Sequence, residues 1–491
     1  MAAKKVLLGF FLCLLGTTTV LATTRSVRLG SGPELCNLQR LRVSQPDQRF
    51  EFEGGSIETW DETEDQFQCV GVAPLRTTVR PNSLALPNFQ PFPRLVFIEQ
   101  GAGIVGVHFP GCAETFDTGV QGQQESPRRT RIQGQETQDS HQKVHRFKQG
   151  DILAIPAGAV HWCYNDGNED VVATAINDLN NPSNQLDKQS RLFFLAGGLS
   201  SQHIQGQQGQ RGQQRQQGQQ GRQGFQGGSL NFQNIFAGFD TELLAESFNS
   251  DPQIIRAMQE SGERGLIVKV QQPMQFVTPE EEQQQWQPRQ RQSPRQRGQQ
   301  GGGASNGLEE KICSSKILYN LDTQREADIF SRQAGKLNMV NEHKLPILSY
   351  LDLSAEKGHL QQNALLSPHW SINSHTIIYV LRGDAQVQVV SNNGEAVLDE
   401  QVNRGDFFVV PQFFASTARA GQNGFEWVAF KTNKSPMKSP VAGYTSVIRA
   451  CPLEVLTNAY QISPSQAQNL KTNRETESIL LSPQWTGQQR S

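Results

Sequence analysis

No Cys-x-x-Cys pair occurs among the seven cysteines, which removes zinc ribbons and thioredoxin-type redox sites from consideration. No Gly-x-x-x-x-Gly-Lys-Ser/Thr occurs either, so the glycine-rich tracts give no support to a phosphate-cradling loop. An excess charge of one sign is also lacking. Lys and Arg number 45 against 47 Asp and Glu, a formal net of −2, and no global field points to nucleic acid or an anionic membrane. Past the amino terminus, no apolar run approaches the roughly 20 residues a bilayer span requires. The one short run is at the start. Lys4-Lys5 precede an apolar stretch over residues 6–15, and Val20-Leu21-Ala22 offers small residues for cleavage, so residues 1–22 read as a secretory signal. Cys13 leaves with it. Cys36, Cys69, Cys112, Cys163, Cys313 and Cys451 remain for an oxidising compartment, and their fifteen full pairings are not separable from sequence.

What is present is organised around residues 150–165, GDILAIPAGAVHWCYN. Ile152 to Ile155 is a buried strand run that Pro156 ends. Pro156-Ala157-Gly158 suits a turn in which proline fixes φ and glycine supplies a positive φ. Val160 to Tyr164 is a second β-prone run, closed by Asn165-Asp166-Gly167. The spacing G-x5-P-x-G-x2-H-x3-N resembles the second motif of the cupins, a family of small antiparallel β-barrels. Strand alternation then turns His161 and Cys163 inward, and Trp162 and Tyr164 outward.

The plan occurs twice. Ile377 to Gly383 repeats the strand ending at Gly101, Gly405 to Pro411 repeats Gly150 to Pro156, and Glu454 to Pro464 repeats Glu242 to Pro252. The offsets between copies are 282, 255 and 212 at Gly101, Pro156 and Pro252, so the first copy carries 27 extra residues and then 43 more. Those intervals contain the polar stretch near 120–143 and the Gln/Gly/Arg run 202–228, both too poor in apolar residues to order. Residues 280–305 have the same composition, with few aromatics and offsetting acids, which favours solvated disorder over RNA contact. Residues 235–259 read as helices, with Asp240 and Asp251 as caps and Pro252 opening the second. With a molecule too long for one core, the expected division is a first cupin module over 23–260, a linker over 261–306 and a second module over 307–491.

A cupin metal site takes two His and a Glu from the first motif and one His from the second. In the first copy Asn88, Gln90 and Arg94 stand at the first three places, leaving His161 alone. In the second, His369 is kept, while Ser371, Thr376 and Ser416 replace the others, and Phe413 replaces the turn glycine. One neutral imidazole per barrel does not make a metal site. His375 should point away from the inner face. His141 and His145 are four apart but border a polar loop, and read as a solvated pair. Cys163 and Cys451 read as small apolar packing groups.

Together these residues resemble the bicupin seed storage globulins of the legumin (11S) type, over nearly the whole chain after the signal. The most specific match is Asn306-Gly307-Leu308-Glu309-Glu310-Lys311-Ile312-Cys313, similar to that family's processing junction, with Lys311 in place of the usual Thr. The resemblance implies two tandem β-barrels, each followed by a small helical extension. It implies no catalytic residue, metal or cofactor. A vacuolar asparagine-specific protease would cut between Asn306 and Gly307, giving an acidic and a basic chain. Disulfides Cys36–Cys69 and Cys112–Cys313 are implied, the second joining the chains, which leaves Cys163 and Cys451 free. Assembly as homotrimers and then hexamers in seed protein storage vacuoles is implied as well. The name "basic" fits loosely, since residues 307–491 carry 17 Lys and Arg against 17 Asp and Glu. A second class stays open: the same fold hosts metal-dependent enzymes, and a degenerate barrel can bind a small sugar or hormone.

Overall fold

The computed structural model describes residues 36, 38–109, 115–117, 139–141, 144–204, 231–274, 315–322 and 327–483. The signal, the Asn306–Gly307 junction, Cys112, Cys313 and residues 280–305 lie outside these. Of the 120–143 and 202–228 segments only 139–141 and 202–204 are described. Among the described residues no helix is long and apolar enough to cross a membrane.

The strands form where the residue pattern places them. Asp151–Ile155 is buried along its whole length, because it lies between two neighbours in the sheet and under a covered face. It pairs antiparallel with Arg94–Gln100, Ile152 opposite Phe97. Val160–Asn165 pairs with Ala102–His108 on one side and Ser83–Phe89 on the other. Gly158 takes the positive φ the turn requires, +75°. These strands belong to two facing sheets, of seven and six strands, that enclose the first barrel core. In the second copy Thr376–Val390 and Ala415–Lys431 are long enough to run through both faces, so its strands connect into one ten-stranded sheet.

The helical extensions also form as the caps dictate. Asp240 accepts from Leu243 N at 2.9 Å to start Thr241–Phe248, and Asp251 accepts from Gln253 N at 2.8 Å to start Pro252–Gln259. Leu453–Tyr460 and Pro464–Thr472 repeat the pair in the second copy.

The modules are not separate in the way the sequence division implies. Leu318–Asn320 pairs with Asp151–Ile155 of the first copy, Tyr319 opposite Ile152. Reciprocally, Ser44 and Phe407 exchange both backbone hydrogen bonds, at 2.8 and 3.0 Å. Ile152 and Phe407 are equivalent positions, 255 residues apart. Each copy thus lends the segment before its barrel to cover the same edge of the other copy. The physical reason is the open row of N–H and C=O groups on that edge, which the partner segment satisfies. Trp60 seals the contact, its ring 4.7 Å from that of Phe407 and its Nε1 donating to Ser44 O. A second revision concerns the linker assigned to 261–306. Ile267–Lys269 pairs with Ser83–Phe89, so the first module extends past 260.

That extension explains why Tyr164, on the outward face, is nevertheless buried. It does face away from the barrel interior, but it is only 1% exposed. Val270 and Met274 pack over it together with Ile104 and Val144, and its hydroxyl donates to Asn82 Oδ1 at 2.9 Å.

Candidate functional site

The polar positions that the motifs single out converge inside each barrel. In the first, the strand register sets His161 opposite Asn88 and Arg94 opposite Asn177. Arg94 Nη1 lies 3.2 Å from His161 Nε2, and Arg94 Nε donates to Asn177 Oδ1 at 2.8 Å. A guanidinium only donates, so His161 Nε2 is the acceptor and its Nδ1–H is directed to Ala159 O at 3.3 Å. Burial, reinforced by the Arg94 charge, pushes the His161 pKa down to about 3, and the ring is neutral at pH 7. Its one lone pair is therefore already used. Arg94 is itself buried, Nη2 has no partner among the described residues, and neither side-chain atom of Gln90 has one. A divalent cation does not fit here: the sole imidazole nitrogen is occupied, and a guanidinium stands where a carboxylate would be needed.

The second barrel uses the same two cross-strand positions with the partners exchanged. His369 lies opposite Ser416, and Thr376 opposite Lys431. So where the first barrel has Asn/His and Arg/Asn, the second has His/Ser and Thr/Lys. Each interior keeps one neutral imidazole and one buried cation, carried on opposite strands. Lys431 Nζ donates to Thr376 Oγ1 at 3.2 Å, and Thr376 lies 3.3 Å from Ser371 Oγ. His369 Nδ1–H is directed to Ser367 O at 2.9 Å. Burial, with the nearby Lys438 charge, lowers the His369 pKa to about 4. Glu356, also buried, is ion-paired with Lys438 and held down to about 2 against the opposing effect of burial. Three His, Cys, Asp or Glu come together nowhere among the described residues.

Lys431, Lys438 and Glu356 lie outside both motifs, so no motif points to them. The signal was available in principle, since Lys431 sits in an otherwise apolar strand end, Trp427-Val428-Ala429-Phe430. His375 lies just before the strand Thr376–Val390, and its Nδ1 accepts from Gln412 N at 3.1 Å. His141 and His145 fall on two different strands, so the helical pair does not arise.

Cys36 and Cys69 form a disulfide with Cα atoms 4.7 Å apart. Cys163 and Cys451 are free thiols, and burial pushes Cys163 up to about 12, which keeps it protonated and unreactive.

Comparison with known proteins agrees with this geometry. The family model described as Cupin matches residues 41–207 and 319–468. An 11S globulin seed storage protein of Sesamum indicum is 53% identical over 488 residues, covering 98% of this chain and 99% of that one. Glutelin type-A 1 of Oryza sativa is 40% identical, covering 96% and 92%. Among solved structures, pumpkin seed globulin superposes with a TM-score of 0.73 at 36% identity, covering 92% of this chain and all of that one. Procruciferin, an 11S globulin from Brassica napus, gives 0.73 at 33% identity, covering 93% and all of that chain.

Proposed function

The chain belongs to the 11S seed storage globulins of the cupin family, and from that premise we propose how it is matured and deposited. Its function is storage, as a reserve of nitrogen and carbon for the seed. Supporting a reading as a non-enzyme without cofactor is one observation: both barrel centres hold a cation and a neutral imidazole where a metal-binding cupin needs carboxylate and histidines. The Gln-rich tracts suit the role, since each glutamine side chain adds a second nitrogen.

Seed relatives support entry into the secretory pathway; residues 1–22 serve as the signal, and the proposed destination is the protein storage vacuole. There an asparagine-specific protease cuts between Asn306 and Gly307, where glycine offers no side chain to obstruct it. Chains 23–306 and 307–491 result, about 284 and 185 residues, joined by Cys112–Cys313. Homotrimers and then hexamers form through the helical extensions, whose Leu243, Phe248, Ile254, Val455, Tyr460 and Leu470 are exposed apolar side chains. Neither nucleic acid nor a membrane takes part.

Protein isolated from mature seed tests the scheme. Edman sequencing of the smaller chain should begin Gly-Leu-Glu-Glu, and reduction should be needed to separate the chains on a denaturing gel. One unsplit chain, or a different new terminus, would overturn it.

A further inference from the structure

We propose that the second barrel binds a small monocarboxylate in its interior, with Lys431 holding the anionic end. The barrel contains a cavity that admits the centre of a water molecule over about 40 Å³. One water needs roughly 10–15 Å³ on that measure, so the space suits a molecule of roughly three to five heavy atoms. Its wall has two parts. Ile378, Val410, Phe408 and Trp427 form an apolar side, and Lys431 with Thr376 and Ser371 forms a polar end.

Charge at the polar end is what selects the ligand. Four titratable groups line the cavity: Lys431, Lys438, Glu356 and His369. Glu356, the sole carboxylate among the lining residues, is engaged by Lys438. His369 is neutral at pH 7. Lys431, 2% exposed, also feels the Glu356 charge but hydrogen-bonds to one hydroxyl, although an ammonium has three donors. Two buried or half-buried lysines share the one carboxylate of Glu356, so the cluster keeps one positive charge in excess, and a monoanion at the open donors of Lys431 balances it. A carboxylate has the right charge and two acceptor oxygens, one for Lys431 Nζ and one for the Ser371–Thr376 hydroxyls 3.3 Å apart. A short alkyl tail then rests on the apolar side. A dianion would exceed the available charge, and a larger ring would exceed the volume.

The first barrel supplies an internal contrast. Arg94 is the equivalent buried cation, but its Nη2 and the Gln90 amide have essentially no surface facing open space. The proposal therefore concerns the second barrel alone, with one ligand expected per chain.

The test is calorimetric titration of the full chain, dialysed against carboxylate-free buffer, with sodium propionate and with propionamide. Propionate is expected to bind saturably at one per chain, at least about tenfold tighter than its uncharged amide. Above pH 8 its affinity should fall about tenfold per pH unit, because burial lowers the Lys431 pKa to about 8 and binding needs the ammonium. Lys431→Met should abolish binding. Val387→Phe, which fills the cavity and keeps the charge, should do the same, and it decides the matter if the lysine variant does not fold. Heats that never saturate, equal affinity for propionamide, or binding unchanged in whichever variant folds would each overturn the proposal.

Discussion

At the scale of single residues, the duplication provides its own control. Gly158 has φ +75° at the turn after the first central strand, and Phe413 occupies the equivalent turn with φ +67°. A bulky side chain in the left-handed region is strained by about 1–2 kcal/mol. The ring gives little back, since Phe413 is 62% exposed, and the turn is held by the Phe413 N–H donated to Ser371 O at 3.0 Å. Phe413→Gly should therefore stabilise the chain by about 0.5–1 kcal/mol, the strain released less the extra backbone entropy glycine loses on folding. Gly158→Ala should cost about 1 kcal/mol, although a Cβ there meets nothing within 4 Å, so backbone strain alone would be responsible. Denaturant midpoints of the two variants give the answer. A destabilised Phe413→Gly would mean that the ring has a partner which the monomer does not display.

At the scale of the element, the helical extensions separate two roles that look alike in a sequence. Leu244 and Leu456 are natural choices for disrupting assembly, because both are apolar residues on amphipathic helices. Both are instead buried in their own module, at 8% and 2% exposure, Leu244 packing against Ile255 across its helix pair. A charge at either would unfold the extension at a cost of several kcal/mol, and loss of assembly would follow indirectly. The exposed positions one residue away are the discriminating ones. Leu243→Glu with Val455→Glu should leave the thermal midpoint within a few degrees while sedimentation shifts from oligomer to monomer. Unchanged sedimentation at full folding would remove these helices from the interface.

At the scale of the molecule, the reciprocal edge exchange predicts how a cut chain behaves. The segment 317–321 is hydrogen-bonded along Asp151–Ile155, and 41–44 is bonded to Val397 and Phe407. Cleavage at Asn306–Gly307 severs neither contact, and both contacts hold residues from opposite sides of the cut. Reduced, cleaved protein should therefore remain one particle under native conditions and separate only in denaturant. Size-exclusion chromatography with and without reductant makes the comparison, and separation on reduction alone would show the exchange to be too weak to join the halves. The Cys36–Cys69 bond acts within the first chain, closing a loop of sequence separation 33, and contributes roughly 3.5–4 kcal/mol on the loop-entropy estimate.

The sequence by itself determined the barrels, their duplication, the helix caps and the loss of metal ligands. All of these rest on short-range signals: a period of two, a turn glycine, an aspartate before a helix, a residue type at a fixed offset. Arg94 was legible as a misfit in a ligand set, and His161 as the one place kept, for the same reason. Only the tertiary structure decided what replaced the metal centre. Asn177 and Lys431 reach the interior from positions that no motif marks, and strand register is what sets Arg94 against the first and Thr376 against the second. The module boundary was hidden in the same way. Tyr319 and Ser44 carry no sign of the edge they cover, because an unpaired row of backbone groups exists only once the sheet it belongs to has formed. Tyr164 shows the limit most simply: alternation gives the face of the strand a side chain is on, and burial depends on whether another segment returns to cover that face.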